Sequence, residues 1–232
     1  MDTDEQTEDD SELIVEQIEI GPMQNFTYIV GSRSSREVAI VDPAWDIENL
    51  VKHINEKGYK LTAALVTHYH PDHIGGSMGG HNIDGIAELL AINPLKIYAH
   101  KHEADGVKKI TGLSESDLVR VESGDDLRIG DVSVEFLHTP GHTPGSQCFR
   151  IQDKLVSGDT LFINGCGRVD LPGSDTEDMY HSLRKLADLP DQTILLPGHN
   201  YAQIPNATMG DTKKMNTYMH IKDLETWRMM MG

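Results

Sequence analysis

Three histidines and one aspartate fall within six positions of the chain: His68, His70, Asp72 and His73. They follow the apolar run 61–66, which indicates a buried strand that ends in a loop. Because alternate residues of an extended segment project to the same side, His68 and His70 can reach one ion. Asp72 and His73 come after a proline has turned the chain, so they can face a neighbouring position. The segment therefore predicts halves of two metal sites.

Neutral imidazole and carboxylate groups are ligands of zinc, iron or manganese, whereas calcium takes oxygen ligands alone. We expect zinc, with iron and manganese as alternatives. Four ligands cannot fill two coordination shells, so others must come from elsewhere in the chain. Three later turns each offer one candidate after a predicted strand, and a glycine precedes each of them: His142, Asp159 and His199. Alone, each is most simply a turn residue, but together they complete two shells.

The composition predicts one large domain with a substantial core, since the chain has 232 residues of which 38% are hydrophobic. The formal charge is −17, and the first 19 residues contain nine acids and no Lys or Arg. We expect residues 1–11 to form a disordered acidic tail and residues 12–232 to form the domain. Nucleic-acid affinity depends on Lys and Arg that neutralise phosphates, so we expect no nucleic-acid partner.

We expect neither a targeting segment nor a membrane partner, because the sequence shows no basic segment followed by an apolar one at its start and no apolar run that could span a bilayer. The two cysteines, Cys148 and Cys166, are too few for a disulfide framework, which favours a reducing cytoplasm. Cys148 lies in an alternating strand and is predicted to be core, while Cys166 lies between two glycines. No pattern in the sequence specifies an oligomeric state.

Alternating hydrophobic patterns predict an antiparallel meander at the start of the chain, with strands at 13–20, 23–31 and 37–42. Helices are predicted at 46–57 and 175–186, and strands and helices alternate in the second half. Strands in both halves need helices to cover one face. We expect 77–93 to be a surface excursion, with Met78, His81 or Ile83 over the site as the alternative. The methionine-rich end is predicted to be an unstructured tail.

Four motifs occur in order along the chain: THYHPDH (67–73), TPGHTPGS (139–146), SGDTLF (157–162) and LPGHNY (196–201). They resemble the metal-binding motifs of the metallo-β-lactamase superfamily, and the resemblance extends over about residues 13–218. It implies an α/β fold, a four-layered αβ/βα sandwich with the site at one edge of two packed sheets. It also implies His68, His70 and His142 on one metal. The other metal would be held by Asp72, His73 and His199, with Asp159 as the bridge.

Two divalent ions that share a carboxylate can also share a water molecule and lower its pKa far enough to give hydroxide at neutral pH. We expect this hydroxide to hydrolyse a thioester or an ester of a small molecule, with the catalytic role assigned to the carboxylates Asp72 and Asp159. Metal charge would hold the oxyanion, so no serine or cysteine nucleophile is required.

The segment GCGR (165–168) resembles glyoxalase II-type thioesterases (hydroxyacylglutathione hydrolases) and persulfide dioxygenases. Arg168 is then a candidate for a substrate carboxylate, which matches the guanidinium fork. The resemblance to glyoxalase II adds Tyr28 and Tyr201 as substrate-binding residues. Glutathione is the candidate carrier. Glyoxalase II enzymes bind glutathione with basic residues of a further C-terminal segment. The few candidates for that role here are Lys213, Lys214, Lys222 and Arg228.

The alternative function is a mononuclear iron persulfide dioxygenase that acts on glutathione persulfide. Arg168 and Asp170 fit the GCGRxD pattern of those enzymes. Their iron is held by two histidines and one aspartate, and the counterparts here are His68 or His70 with His142 and Asp159. Because these enzymes retain the other motif residues, the ligand set does not separate the two functions.

Overall fold

The computed structural model describes residues 12–231 of the chain. The predicted acidic tail, residues 1–11, therefore lies outside the described residues. Within the described part, each helix is too short or too polar to cross a lipid bilayer.

The first half of the described chain forms β1 (Leu13–Ile20), β2 (Asn25–Ser32), β3 (Glu37–Val41), α1 (Ile47–Glu56), β4 (Lys60–Leu65), α2 (Pro71–Ile74), β5 (Gly76–Met78), β6 (His81–Ile83), α3 (Ile86–Ile92), β7 (Lys96–His100), α4 (Ala104–Thr111) and β8 (Leu118–Val121). The predicted meander is confirmed, because β1, β2 and β3 pair antiparallel. The strands β4, β7 and β8 continue the sheet in parallel, giving the order β1-β2-β3-β4-β7-β8.

The second half forms β9 (Asp126–Ile129), β10 (Val132–His138), β11 (Gln147–Ile151), β12 (Lys154–Gly158), β13 (Leu161–Phe162), β14 (Gly165–Cys166), α5 (Thr176–Ala187), β15 (Ile194–Pro197), β16 (Ala207–Thr208), α6 (Met209–Met215), α7 (Thr217–His220) and α8 (Leu224–Met231). Six of these strands make a second sheet in the order β16-β15-β12-β11-β10-β9. Only β12 and β15 pair in parallel within it.

Strand periodicity divides the apolar side chains into three cores. In β2, Val30 faces the other sheet while its neighbour Ile29 faces the helices α1, α3 and α4. In β11, Phe149 belongs to the core between the sheets and Cys148 belongs to the core beneath α5. Because successive residues of a strand point to opposite faces, each sheet is covered on both sides. The predicted four-layered αβ/βα sandwich is confirmed, and Cys148 is core as expected.

Local sequence accounts for the two longest predicted helices. In α1, the Asp46 carboxylate caps the start by accepting from the Asn49 backbone N–H, and the buried side chains Ile47, Leu50 and Ile54 form one stripe. In α5, Asp175 accepts from the backbone N–H groups of the second and third residues that follow it. Both helices therefore begin within one residue of their predicted start.

The methionine-rich end is helical, so the prediction of an unstructured tail is wrong. Trp227 of α8 is fully buried, packs beside Tyr180 and Tyr218, and donates its indole N–H to the Thr176 carbonyl oxygen. Met229 and Met230 on the same helix are exposed. Trp227 therefore holds the helix against α5. The exposed methionines account for the wrong prediction of a tail.

His100 and His138 join the ends of β7 and β10, one strand from each sheet. Their rings stack with centroids 3.9 Å apart and planes 9° apart. His100 is buried, and burial together with His138 lowers the pKa of His100 to about 3. The folded protein therefore holds this imidazole uncharged in a pH range where the unfolded chain protonates it.

We expect His100→Gln to reduce the loss of stability in acid. Between pH 6.5, the ordinary pKa of histidine, and about 3, the unfolded wild type binds the extra proton, so its free energy of unfolding falls as the pH falls. Urea unfolding at pH 7 and pH 5 measures this slope. His81→Gln, in an exposed position, should keep the wild-type slope. Equal slopes for wild type and His100→Gln would contradict the prediction.

Candidate metal centre

The histidine-rich turn lies directly after β4, as the sequence predicts. His68 and His70 follow the strand, with His70 in extended backbone, and Pro71 begins the short helix α2, which contains Asp72 and His73. The proline is at the first helical position, where its missing N–H costs no hydrogen bond. The Asn25 side chain of β2 donates to Asp72 Oδ2 at 3.0 Å.

Glycines allow the other three turns to approach the same point. Gly158, directly before Asp159, has φ +49°, in the left-handed region that glycine adopts at low cost. At Gly198, before His199, a Cβ atom would lie 2.4 Å from Asp159 Oδ1, so any other residue would collide with that carboxylate. His142 follows β10 in the same manner. The predicted turn geometry is present at each position.

The turns bring the seven side chains into one cluster at the edge of the two sheets. His68, His70 and His142 form one group, Asp72, His73 and His199 form another, and a third set of Asp42, His68 and His73 overlaps both. Within each group, the possible ligand atoms all lie within 4.8 Å of one another. Asp159 lies between the groups: its Oδ1 is 3.4 Å from His73 Nε2, and its Oδ2 is 3.6 Å from His142 Nε2.

The donor atoms of the cluster fit divalent cations. Buried polar atoms are nearly always hydrogen-bonded, yet His68 Nε2 and Asp159 Oδ1 have no hydrogen-bond partner among the described residues. His142 Nδ1 donates to the Arg168 carbonyl oxygen and His199 Nδ1 donates to that of Met23. These two bonds fix the proton on Nδ1 and leave the Nε2 lone pair directed into the cluster. Nitrogen and carboxylate donors of this kind suit zinc, iron or manganese.

The electrostatics of the cluster also favour a cation. Burial lowers the pKa of His68 well below its usual range, and burial with His142 lowers the pKa of His70 to about 4, so both imidazoles are neutral at pH 7. Burial opposes charge on His73, but Asp72 and Asp159 raise its pKa to about 10. The second group thus attracts positive charge, which a proton supplies in the absence of a metal and a cation can replace.

A pocket of about 570 Å³ opens beside the cluster. Tyr201 lines it and stacks on the His199 ring, with centroids 4.6 Å apart and planes 10° apart. Arg168 also lines it, but its guanidinium donates to both carboxylate oxygens of Asp170, at 2.9 and 2.8 Å. Cys166 lies on the wall, and burial raises the pKa of its thiol to about 12.

The structure does not bring Tyr28 to the pocket. Its ring is buried in the core between the sheets, and its hydroxyl donates to the Pro197 carbonyl oxygen and accepts from the Gln17 side chain. Met78 does line the pocket, so the segment 77–93 is not the plain surface excursion that we expected. Of the other two candidates for a roof, His81 is exposed and Ile83 is buried away from the pocket wall.

A protein-family model described as the metallo-beta-lactamase superfamily matches residues 20–199. The matched range contains all seven side chains of the cluster. The chain belongs to this superfamily. The resemblance found in the four motifs is therefore confirmed, together with the sandwich fold that it implied.

Superfamily relatives with different reactions are similar to this chain at comparable identity. The chain is 32% identical over 203 residues to a probable polyketide biosynthesis zinc-dependent hydrolase, BaeB, of Bacillus velezensis, covering 87% of this chain and 84% of that protein. It is 36% identical over 197 residues to a hydroxyacylglutathione hydrolase of Polaromonas sp., covering 82% and 68%. It is 32% identical over 195 residues to the human mitochondrial persulfide dioxygenase ETHE1, covering 82% and 70%.

A solved structure from the same superfamily also aligns with this chain. The crystal structure of ETHE1 from Myxococcus xanthus aligns with a TM-score of 0.79 at 26% identity, over 94% of this chain and 89% of that chain. Both hydrolases and a dioxygenase are therefore relatives, so membership in the superfamily establishes an enzyme fold and leaves the reaction to be argued from the site.

Asp42 contacts the cluster through Thr67 and His73, and no sequence motif pointed to this residue. Its carboxylate accepts from the Thr67 backbone N–H at 2.8 Å and from the Thr67 hydroxyl at 2.6 Å. It also accepts from His73 Nδ1 at 3.0 Å, which orients that ring. Asp42 directly follows β3, just as Asp159 directly follows β12. An aspartate immediately after a buried strand was the signal that could have found it.

Glu103 joins the two turns that supply the first group of histidines. One carboxylate oxygen accepts from the Tyr69 backbone N–H and the Thr143 hydroxyl, at 2.8 and 2.7 Å. The other accepts from the Gly145 backbone N–H at 2.8 Å. The side chain is fully buried, and burial raises the pKa of Glu103 to about 7. The sequence gives no sign of this contact.

Proposed function

We propose that the chain is a hydrolase that holds two divalent cations, with zinc as the first candidate and iron or manganese as alternatives, and that it cleaves a thioester or an ester of a small molecule. One observation carries the proposal: two groups of three ligands face each other across a single carboxylate, that of Asp159. A pair of groups that share a carboxylate can hold two cations. Because persulfide dioxygenases retain the same motif residues around a single iron, turnover assays must decide the reaction.

The residues of the cluster have distinct roles in this proposal. The first group of histidines would hold one cation and the second group would hold the other, with the Asp159 carboxylate between them: its Oδ2 lies 3.6 Å from His142 Nε2 and 3.4 Å from His199 Nε2. When bound, the cations supply a water molecule of lowered pKa and positive charge for the substrate oxyanion. Asp72 lines the pocket, where the Asn25 amide fixes its Oδ2 atom, and we assign it with Asp159 to orient the attacking water.

Thioesters are the first substrate class to test. The GCGR segment forms β14 and the pocket wall beside the cluster, so it contacts whatever lies in the pocket. The hydroxyacylglutathione hydrolase of Polaromonas sp. is similar over 197 residues. Cys166 on the same wall has a protonated thiol at neutral pH, which agrees with attack by water rather than by a cysteine thiolate.

A persulfide dioxygenase is the second candidate, and a specific contact favours it. Arg168 and Asp170, the two charged residues of the GCGRxD pattern, pair with each other, and Arg168 lines the pocket. The human persulfide dioxygenase ETHE1 is 32% identical to the chain over 195 residues. A single iron would then require only three of the seven side chains.

Two assays on one metal-loaded preparation separate the candidates. We expect thiol release from a thioester, measured with a chromogenic thiol reagent, and no oxygen uptake with glutathione persulfide in an oxygen electrode. Oxygen uptake without thioester cleavage would overturn the hydrolase proposal in favour of the dioxygenase.

A further inference from the structure

Much of the pocket wall outside the cluster is apolar. Six of its lining residues present hydrocarbon or thioether groups: Met23, Met78, Phe162, Ile163, Leu171 and Ala202. The wall is continuous with the cluster, since Phe162 lies beside the rings of His199 and Tyr201, with centroids 6.0 and 5.5 Å away. A group bound against this wall would therefore lie next to the reacting bond.

Charged side chains are scarce on the wall. Among the described residues that line the pocket, Arg168 is the single charged residue outside the cluster. Both of its paired contacts go to Asp170, so the pair presents no net charge. A substrate carboxylate would have to displace Asp170 to gain the guanidinium.

The basic residues considered as glutathione ligands are directed elsewhere. Lys213 donates to Asp191 and to the Leu189 carbonyl oxygen, and Arg228 donates to Glu177. Lys214 pairs with Asp211. None of these cations lines the pocket, and Lys222 does not line it either. The two carboxylates of glutathione would therefore find no unpaired cation at the described pocket, and a carboxylate that left water there would lose free energy without a partner.

We propose that this wall binds an uncharged, apolar acyl chain and that the enzyme prefers the thioester of an uncharged thiol to a glutathione thioester. The inference rests on the proposed thioester hydrolysis. In that reaction one water adds to the acyl carbon, the carbon–sulfur bond breaks, and a carboxylic acid and a thiol leave. The acyl chain lies along the apolar wall, while the thiol points to solvent past the pair of Arg168 and Asp170.

Four substrates test the inference by turnover: acetyl and hexanoyl thioesters of N-acetylcysteamine and of glutathione, with the metal-loaded enzyme. We expect hexanoyl-N-acetylcysteamine to exceed the acetyl compound at least about tenfold in kcat/KM, because four more methylenes leave water. We also expect it to exceed hexanoylglutathione. Equal kcat/KM for the two chain lengths, or a preference for glutathione, would overturn the inference.

A charge placed on the wall tests the location. We expect Met78→Lys to lower the ratio of hexanoyl to acetyl kcat/KM about tenfold, because the ammonium group must be desolvated beside the chain. Met229→Lys, the same change at a position 74% exposed on α8, is the matched control and should keep the wild-type ratio. An unchanged ratio in Met78→Lys would show that the acyl chain lies elsewhere.

Binding distinguishes failure of the inference from failure of the proposed function. S-hexyl-N-acetylcysteamine and S-hexylglutathione are thioethers that no hydrolase cleaves, and calorimetry gives their Kd values. We expect the uncharged compound to bind at least about tenfold more tightly. If it does so while no thioester is cleaved, the hydrolase proposal fails and the pocket assignment stands. Tighter binding of S-hexylglutathione would overturn the inference whatever the turnover.

Discussion

Replacing Asp159 with alanine is expected to reduce hydrolysis about 10³-fold or more and to remove one of two bound cations. The carboxylate lies within 3.6 Å of histidines from both halves of the cluster. Without it, nothing holds the two cations together, and the loss of several kcal/mol of charge stabilisation corresponds to roughly that factor in rate. Turnover assays and metal analysis on the same preparation measure both effects.

The matched control is Asp153→Ala, which removes an aspartate from the turn before β12. Its carboxylate is exposed and pairs with the neighbouring Lys154, so we expect wild-type activity and wild-type metal content. Full turnover by Asp159→Ala, or an unchanged metal content, would rule out the bridging role. Loss of activity in both variants would point to general instability instead.

Replacing Glu103 with alanine is expected to lower the free energy of unfolding by about 3–5 kcal/mol, because each of three buried donors left without an acceptor costs about 1–3 kcal/mol. The donors are the backbone N–H groups of Tyr69 and Gly145 and the Thr143 hydroxyl. Tyr69 and Thr143 are next to His70 and His142, so the affinity for metal should fall as well. Urea unfolding and metal titration measure the two effects.

Glu48→Ala is the control for this prediction, because Glu48 is exposed on α1 and far from the cluster. Its unfolding free energy should stay within about 0.5 kcal/mol of the wild type. Glu103→Gln retains one oxygen acceptor but turns an amide N–H toward another donor, so we expect a smaller loss than for alanine. Wild-type stability of Glu103→Ala would contradict the contacts described above.

Local patterns were sufficient to predict most of the fold. The alternation in residues 13–20 and 37–42 indicated strands, and the helical patterns at 46–57 and 175–186 indicated two helices, which the Asp46 and Asp175 side chains cap in the structure. The ligand cluster was predictable because its members follow strands, and five of the seven come after a glycine or proline turn. Strand ends in such a sandwich meet at one edge, so separate turns converge there.

Long-range contacts account for what the sequence did not reveal. Glu103 and Asp42 act through residues 25 to 42 positions away, and neither lies in a motif with spacing of its own. The resemblance to glyoxalase II made Tyr28 a candidate for substrate binding, but strand alternation turns its ring into the core between the sheets. The helix α8 is held by one buried tryptophan, Trp227, but the methionines around it led to the prediction of a tail. In each case tertiary packing decides the outcome.

The count of metal ions per chain tests the central claim most directly. Protein stripped by a chelator and then titrated with zinc should bind two equivalents, measured by calorimetry and by elemental analysis after dialysis, and thioester hydrolysis should follow the occupancy. Saturation at one equivalent would contradict the claim that the seven side chains hold a pair of cations, and so would full turnover by protein that carries no metal.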